Sequence, residues 1–467
     1  MCHIVLTEHE VEGKNPFATN FSTERKEMGA KATKFVTAEQ AVQAIRSGDE
    51  IVLANFCAEP RYLPESVMDR AHELKGCRMF HLTPFGPFQQ KYLEPGMEKH
   101  VRCAIPFCGR RKSVRQLLKE GRADFYPLSF ANYPELLRTG DFKTDVFMLA
   151  VSPPNKDGYC SLGVSVDYAW ACFERPARLV MAEINPNMPV TYGRSFIHMS
   201  DIDYAVEVDC PIFELEQFEI TDVEKRIGEN VASIVEDGST IQIGIGAVSE
   251  AAINFLHEKK DLGIHSEMVP EGLRPLVERG VINNSKKSIH KGKIVCTFHG
   301  GTKKLYDWLD HNPLVEMQPV DYVNNPQVIA QNYKMVAINA ALQVDLFGNI
   351  YSDVLGLDDQ YSGSGGQLDY VLGCAISQDA KLVTTVPSTT GGGKYSRIVA
   401  HPTLTDNPMA PQMPLVTRYN ADHVVTEFGV AKLRGRSNIE RATSLIRIAH
   451  PDFRGQLEVQ AKKLGLL

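Results

Sequence analysis

Short apolar runs alternate with stretches of helical period along most of this chain, and glycine, asparagine or proline marks many of the changeovers. Ile51-Val52-Leu53-Ala54 reads as a buried strand. Ahead of it, Thr37-Ala38-Glu39-Gln40 carries an N-cap with a glutamine three positions on, which predicts a helix over 41–45 that stops at Ser47-Gly48-Asp49. A further helix is expected over 63–74. Residues 1–33 are polar and show little periodicity, and are expected to form an extended arm or a first helix.

The same order of elements recurs in the second half. A helix over 230–235 ends at Asp237-Gly238-Ser239, a strand follows over 240–243, and a glycine turn, Gly244-Ile245-Gly246, opens a helix over 248–257. Ile241 lies 190 residues after Ile51 (241 − 51). Two further echoes fall in the same order. Asp167-Tyr168-Ala169-Trp170-Ala171-Cys172 with Ala177-Arg178-Leu179-Val180 resembles Asp369-Tyr370-Val371-Leu372-Gly373-Cys374 with Ala380-Lys381-Leu382-Val383. Asp203-Tyr204-Ala205-Val206-Glu207 resembles Asp422-His423-Val424-Val425-Thr426-Glu427. Three colinear echoes favour a duplication. The expected fold class is therefore α/β: two similar, open, mostly parallel α/β domains, 1–212 and 213–467, joined near Cys210–Leu215.

Composition narrows the function classes. At 467 residues the chain exceeds one hydrophobic core. Its 43% hydrophobic and 23% charged residues are ordinary for a globular protein. A net charge of −7 gives no general attraction to nucleic acid or to an anionic membrane, so neither is expected as a partner. The ten cysteines are scattered without metal-ligand spacing, which predicts reduced thiols, a cytoplasmic location and no metal site. Residues 1–10 lack the basic and apolar blocks of a signal peptide, and no apolar run approaches the ~18 residues of a membrane span.

The two copies differ at the turn after the matching strand. The first has Asn55-Phe56-Cys57-Ala58-Glu59-Pro60, the second Gly244-Ile245-Gly246-Ala247-Val248-Ser249. Only the second lets backbone N–H groups approach a ligand without interference from a Cβ. Its fit to a dinucleotide fingerprint is poor, since Ser249 replaces the third glycine. A second strand, expected over 262–266, then delivers Glu267. A carboxylate at that end of an open α/β sheet is placed to meet a ligand, although most glutamates in such loops are simply solvated. His265 shares a strand face with Glu267 and reads more readily as a satisfied, semi-buried histidine than as a ligand residue. Ser362-Gly363-Ser364-Gly365-Gly366 is rich in unhindered donors, as an oxyanion hole requires, or is a surface linker. Thr389-Thr390-Gly391-Gly392-Gly393-Lys394 lacks P-loop spacing and reads as a lid or ligand-edge loop. No G-x-S-x-G elbow supports a serine hydrolase.

Taken together, Gly244–Val248, Gly263–Met268, Val323–Pro326, Ile338–Leu342, Asp345–Asn349, Gly363–Gly366, Leu433–Ser437 and Ile448–Arg454 resemble the class I coenzyme A transferases, in the branch of the 4-hydroxybutyrate CoA-transferases and acetyl-CoA hydrolases. The resemblance implies a CoA-transferase-like tandem fold. It implies that Glu267 is the nucleophile and forms a glutamyl-CoA thioester, and that Asn324 polarises a thioester carbonyl. It also implies that Gly244, Ile245, Gly246, Ala247, Val248, Asn339, Gly363 and Gly365 bind CoA. The implied reaction moves CoA between an acyl-CoA such as acetyl-CoA and a short-chain carboxylate, foremost 4-hydroxybutyrate. Coenzyme A enters as substrate, with no tightly bound cofactor, and the family suggests a homodimer or higher homo-oligomer. Butyryl- or propionyl-CoA:acetate transfer, acetyl-CoA hydrolysis by the same glutamate, and a non-catalytic ligand-binding module are the competing readings.

Overall fold

The strands expected over 51–54 and 240–243 form, each within one of two large sheets that several small ladders accompany. The structure, a computed structural model, describes residues 32–109, 112–215 and 218–467. The arm or helix expected over 1–33 lies almost wholly outside these residues. In chain order the first sheet uses β1 (Lys34–Phe35), β2 (Glu50–Leu53), β3 (Cys77–Phe80), β4 (Val101–Ile105), β5 (Ala123–Phe125), β6 (Val146–Val151), β7 (Leu179–Ile184) and β8 (Tyr204–Glu207). These strands lie side by side as β1-β8-β7-β6-β2-β3-β4-β5, all parallel. The second sheet uses β9 (Thr240–Ile243), β10 (Gly263–Ile264), β11 (Met335–Ala340), β12 (Lys381–Thr385), β13 (His423–Thr426) and β14 (Gly429–Lys432). Its order is β10-β9-β11-β12-β13-β14, parallel except for the closing hairpin. Every residue of β6 is buried, as expected of a parallel strand covered on both faces.

The inferred repeat is visible in this order. The run β8-β7-β6-β2-β3 in one sheet has the same chain sequence as β13-β12-β11-β9-β10 in the other. The echoes fall on matching elements: Ala177–Val180 and Ala380–Val383 lead into β7 and β12, and Asp203 and Asp422 precede β8 and β13. Asp167 precedes the helix Ala169–Glu174, and Asp369 lies in the first turn of Gln367–Ile376. One apolar core runs from Val52 and Phe147 in the first sheet to Ile241 and Val383 in the second.

Helix boundaries follow local chemistry. Thr37 caps Ala38–Ala41 through a capping box with Gln40. The helix expected over 63–74 is Tyr62–Asp69 plus a short turn, Ala71–Glu73. The helix expected over 230–235 is the end of a longer one, Asp222–Ile234, whose capping box is Thr221 with Glu224. Its first turns carry no apolar run, and the local signal for its start is the Thr221–Glu224 spacing alone. The glycine turn opens Ala247–Asn254.

The strand expected over 262–266 is shorter, because the chain changes partners there. Only Gly263–Ile264 pairs with β9. His265 then bridges to Val295, and Met268–Pro270 pairs with Phe298–Gly300 in a separate ladder. Glu267 sits at this switch, free of both ladders on its side-chain side.

Candidate active site

Two backbone donors hold Glu267 in place. Its carbonyl accepts from Thr297 N at 3.0 Å and Phe298 N at 3.2 Å. Ser266 Oγ donates to Met268 O at 2.6 Å and accepts from Ile243 N at 3.3 Å. The hydroxyl thus ties the nucleophile candidate's neighbour to the last residue before the glycine turn. His265 is fully buried, and its Nε2 donates to Val323 O at 2.8 Å. Burial pushes its pKa down to about 3, so the ring is neutral and structural.

The bond from His265 fixes the segment that supplies Asn324. This residue ends the helix Val320–Val323, and its own N–H donates to Val320 O at 2.8 Å. Asn325 then caps the helix Pro326–Ala330 by accepting from Gln327 N at 2.9 Å, with Pro326 pre-set for the first helical position. Between these anchors the Asn324 side chain is fully buried. Its Nδ2 donates to Glu267 Oε2 at 2.5 Å and to Asp369 Oδ2 at 3.2 Å.

The loop Ser362–Gly366 closes the site from the other side. A Cβ on Gly363 would lie 2.0 Å from Pro106 O, and one on Gly366 would lie 2.0 Å from Glu267 Oε2 and 2.4 Å from Asn324 Nδ2. Gly365 adopts φ +50°, and its carbonyl accepts from Phe130 N at 3.0 Å. Ser364 Oγ donates to Leu128 O at 2.9 Å. The loop is therefore clamped between the first half of the chain and Glu267, which rules out a free surface linker. Gly366→Ala is expected to lower turnover on the order of 10²-fold through displacement of the carboxylate. Its melting temperature should stay near that of the parent, because the atoms it strikes are side-chain ends. Steady-state kinetics beside a thermal melt checks both.

Electrostatics set the carboxylate apart. Desolvation, with Asp369 and Asp167 nearby, pushes the Glu267 pKa up to about 8 against the opposing Asn324 bond. Asp369 and Asp167 are themselves raised to about 6, chiefly by burial. A carboxylate with one oxygen on an amide donor and little hydration can attack an electrophilic carbon with the other.

The glycine turn lies at the ends of neighbouring strands. Gly244 and Gly246 have nothing within 4 Å of where a Cβ would stand, and Gly246 has φ +133°. Ile245 is exposed, and the helix beginning at Ala247 has no side-chain cap, which leaves the N–H groups around Ala247 and Val248 open to a ligand. Asn339, near the end of the adjacent β11, exchanges amide hydrogen bonds with Gln242 at 3.2 and 3.5 Å. Thus Glu267, Asn324, Gly363 and Gly365 gather in one place. Gly244–Val248 and Asn339 gather at adjoining strand ends, linked to it through Ser266 and Ile243. Thr389–Lys394 forms an exposed hairpin, Thr389–Thr390 against Tyr395–Ser396. A cavity of about 1200 Å³ contains none of these residues: it opens at the opposite, N-terminal strand ends, beside Lys334, Lys381, His423 and Arg434.

Gly366 was expected only as part of the donor-rich loop Ser362–Gly366, and neither Asp369 nor Asp167 was expected at the site. The two aspartates did carry a signal, because each opens one copy of the same echo.

Residues 22–213 match the acetyl-CoA hydrolase/transferase N-terminal domain family, and residues 301–461 match the acetyl-CoA hydrolase/transferase C-terminal domain family. Glu267 and the glycine turn fall between the two matches. The chain is 46% identical to the 4-hydroxybutyrate coenzyme A transferase of Clostridium kluyveri, over 92% of this chain and 97% of that one. It is 40% identical to the succinyl-CoA:cyclohexane-1-carboxylate CoA transferase of Geobacter metallireducens, over 91% and 94%. Among solved structures, the 4-hydroxybutyrate CoA-transferase of Porphyromonas gingivalis superposes with a TM-score of 0.77 at 35% identity, over 95% of this chain and 99% of that one.

Proposed function

Since the chain belongs to the acetyl-CoA hydrolase/transferase family and is a CoA-transferase, we propose that Glu267 exchanges CoA between acetyl-CoA and a short-chain acid, foremost 4-hydroxybutyrate, through a glutamyl-CoA thioester. The observation that carries this reading is the Glu267 carboxylate held by Asn324 against the Gly365-Gly366 turn, beside an open glycine turn.

The free oxygen of Glu267 attacks the thioester carbon. The C–S bond breaks, giving an acyl-glutamyl anhydride and CoA thiolate. The thiolate attacks the glutamyl carbon, the anhydride C–O bond breaks, and a free carboxylate leaves. A second carboxylate then attacks the glutamyl thioester and reverses the sequence, so kinetics are ping-pong. Asn324 donates to Oε2, so the carbonyl it polarises is that of the glutamyl thioester, and the same N–H meets the oxyanion formed there. The N–H groups around Gly244–Val248, with Asn339, Gly363 and Gly365, hold the CoA portion. Burial of the site limits hydrolysis of the anhydride.

We place the enzyme in the cytoplasm, as a homodimer or higher homo-oligomer with domains 1–212 and 213–467. Nine cysteines among the described residues are free and buried, which suits a reducing compartment. Among those residues no helix is long and apolar enough to cross a membrane.

CoA release is measured from acetyl-CoA with and without 4-hydroxybutyrate, then with a panel of short acids. Release that requires an acid, greatest for 4-hydroxybutyrate, supports the proposal. Release indifferent to any acid makes the protein a hydrolase.

The pH profile gives a second test. A nucleophilic carboxylate must be ionised, and burial beside two aspartates favours its protonated form. The acid limb of kcat/KM for acyl-CoA is therefore expected near the Glu267 pKa of about 8 rather than near the ordinary 4.5. A plateau that continues down to about pH 5.5 would contradict this, because a carboxylate perturbed so far would be almost fully protonated there.

A further inference from the structure

We infer that Asp369 is the positioning residue of this site: it locks the Asn324 amide so that its NH2 faces Glu267, and it ties that amide to the first half of the chain. The inference rests on the reading of Glu267 as nucleophile.

Three observations meet at Asp369. It is 3% exposed and stands in the first turn of the helix that follows the Gly363–Gly366 loop. Its Oδ2 accepts from Asn324 Nδ2 at 3.2 Å and from Ala131 N at 3.1 Å, and the Ser129 hydroxyl donates to the same carboxylate. One carboxylate thus joins the second-half loop, the Asn324 segment and the first-half segment 129–131.

Amide chemistry explains what this does. An asparagine offers two donors on Nδ2 and acceptors on Oδ1. Both Nδ2 donors here are engaged by carboxylate oxygens, one from Glu267 and one from Asp369, while the buried Oδ1 has no hydrogen-bond partner. A flipped amide would set Oδ1 against both carboxylates and forfeit two charge-assisted bonds. With Glu267 alone, the amide would have one anchor. That anchor weakens when Glu267 becomes a neutral acyl derivative, whose carbonyl accepts a weaker bond than a carboxylate, at the moment the N–H must stay in place for the oxyanion. Asp369 keeps its charge throughout and supplies the second anchor.

The duplication supports this assignment. Asp167 occupies the equivalent position in the first half and lies beside the same glutamate, yet its bonds go to Ser165 Oγ at 2.7 Å and Tyr168 N at 2.5 Å. It shares the field at Glu267 without touching Asn324. The groups that perturb Glu267 are Asn324 and Asp369 in the second half and Asp167 in the first, and Tyr370 follows Asp369 on the same helix.

The test uses Asp369→Asn, Asp369→Ala and the double variant Asn324→Ala/Asp369→Ala in the full chain, assayed for acetyl-CoA-dependent CoA transfer across pH. Asp369→Ala is expected to lower kcat about 10²-fold, with KM for acetyl-CoA within about threefold, because it removes the amide's second anchor. The double variant should be no slower than Asn324→Ala within about threefold, because Asp369 acts through that amide. Asp369→Asn keeps an oxygen acceptor and should restore most of kcat. Its acid limb should move to lower pH, because one anion near Glu267 is gone. Wild-type kcat in Asp369→Ala, or losses that add in full in the double variant, would overturn the inference. So would an Asp369→Asn protein that is as slow as Asp369→Ala with an unmoved acid limb. A Glu267→Ala protein that retains exchange would instead remove the nucleophile reading, whatever the Asp369 variants show.

Discussion

Glu267→Ala is expected to lose acyl exchange by at least ~10⁴-fold, since removal of a covalent nucleophile leaves only binding and polarisation. The fold should survive. Glu267 is half-buried, and its backbone bonds from Thr297 and Phe298 do not involve the side chain. Its raised pKa means that burial of the carboxylate does not stabilise the native state at neutral pH. The thermal midpoint of the variant should therefore equal or exceed that of the parent. Two measurements decide the point. Borohydride treatment after acetyl-CoA should modify the peptide containing Glu267 in the parent and leave it untouched in Glu267→Ala. Transfer rates should fall together with that labelling. An Ala variant that transfers CoA at the parent's rate would end the nucleophile assignment. Glu267→Asp withdraws the carboxylate by about one methylene, and a loss on the order of 10²-fold is expected if position governs attack.

Asn324→Ala is expected to cost about 10²–10³-fold in kcat, the usual effect of deleting one preorganised donor to an oxyanion, or roughly 3–4 kcal/mol. The loss should appear in kcat more than in KM, because the donor meets the glutamyl oxygen rather than the CoA portion. Trapping should show that the glutamyl thioester forms and decays slowly. The acid limb should also rise, since the Asn324 bond favours ionised Glu267 and its removal leaves burial and the two aspartates unopposed. An Asn324→Ala protein with parental kcat and an unmoved limb would show that the 2.5 Å contact is incidental.

Much of the fold was legible because it is written locally. Thr37 with Gln40 closes a capping box within four residues, and the strand Thr240–Ile243 falls where its apolar run predicts. The duplication was legible because matching strands keep matching buried faces, and the sheet order bears it out. The strand leading to Glu267 was misjudged in length because partner choice is not local. Residues 263–264 pair with β9, whereas 268–270 pair with a strand some thirty residues further on, near Phe298. His265 was expected to be semi-buried and is fully buried, since Val323 covers its ring nitrogen across 58 positions of sequence.

By itself the sequence determined the α/β repeat, the glycine turn present in one copy only, and a family pattern that singled out Glu267 and Asn324. Those are properties of neighbouring residues and of spacing. Only the tertiary structure decided that Gly366 leaves no room for a Cβ beside Glu267, that the glycine loop is clamped by Pro106, Leu128 and Phe130, and that Asp369 rather than its twin Asp167 reaches Asn324. Each of those contacts joins segments far apart in the chain. A contact of that kind depends on where the two sheets bring their loops together, and no local period or propensity encodes it.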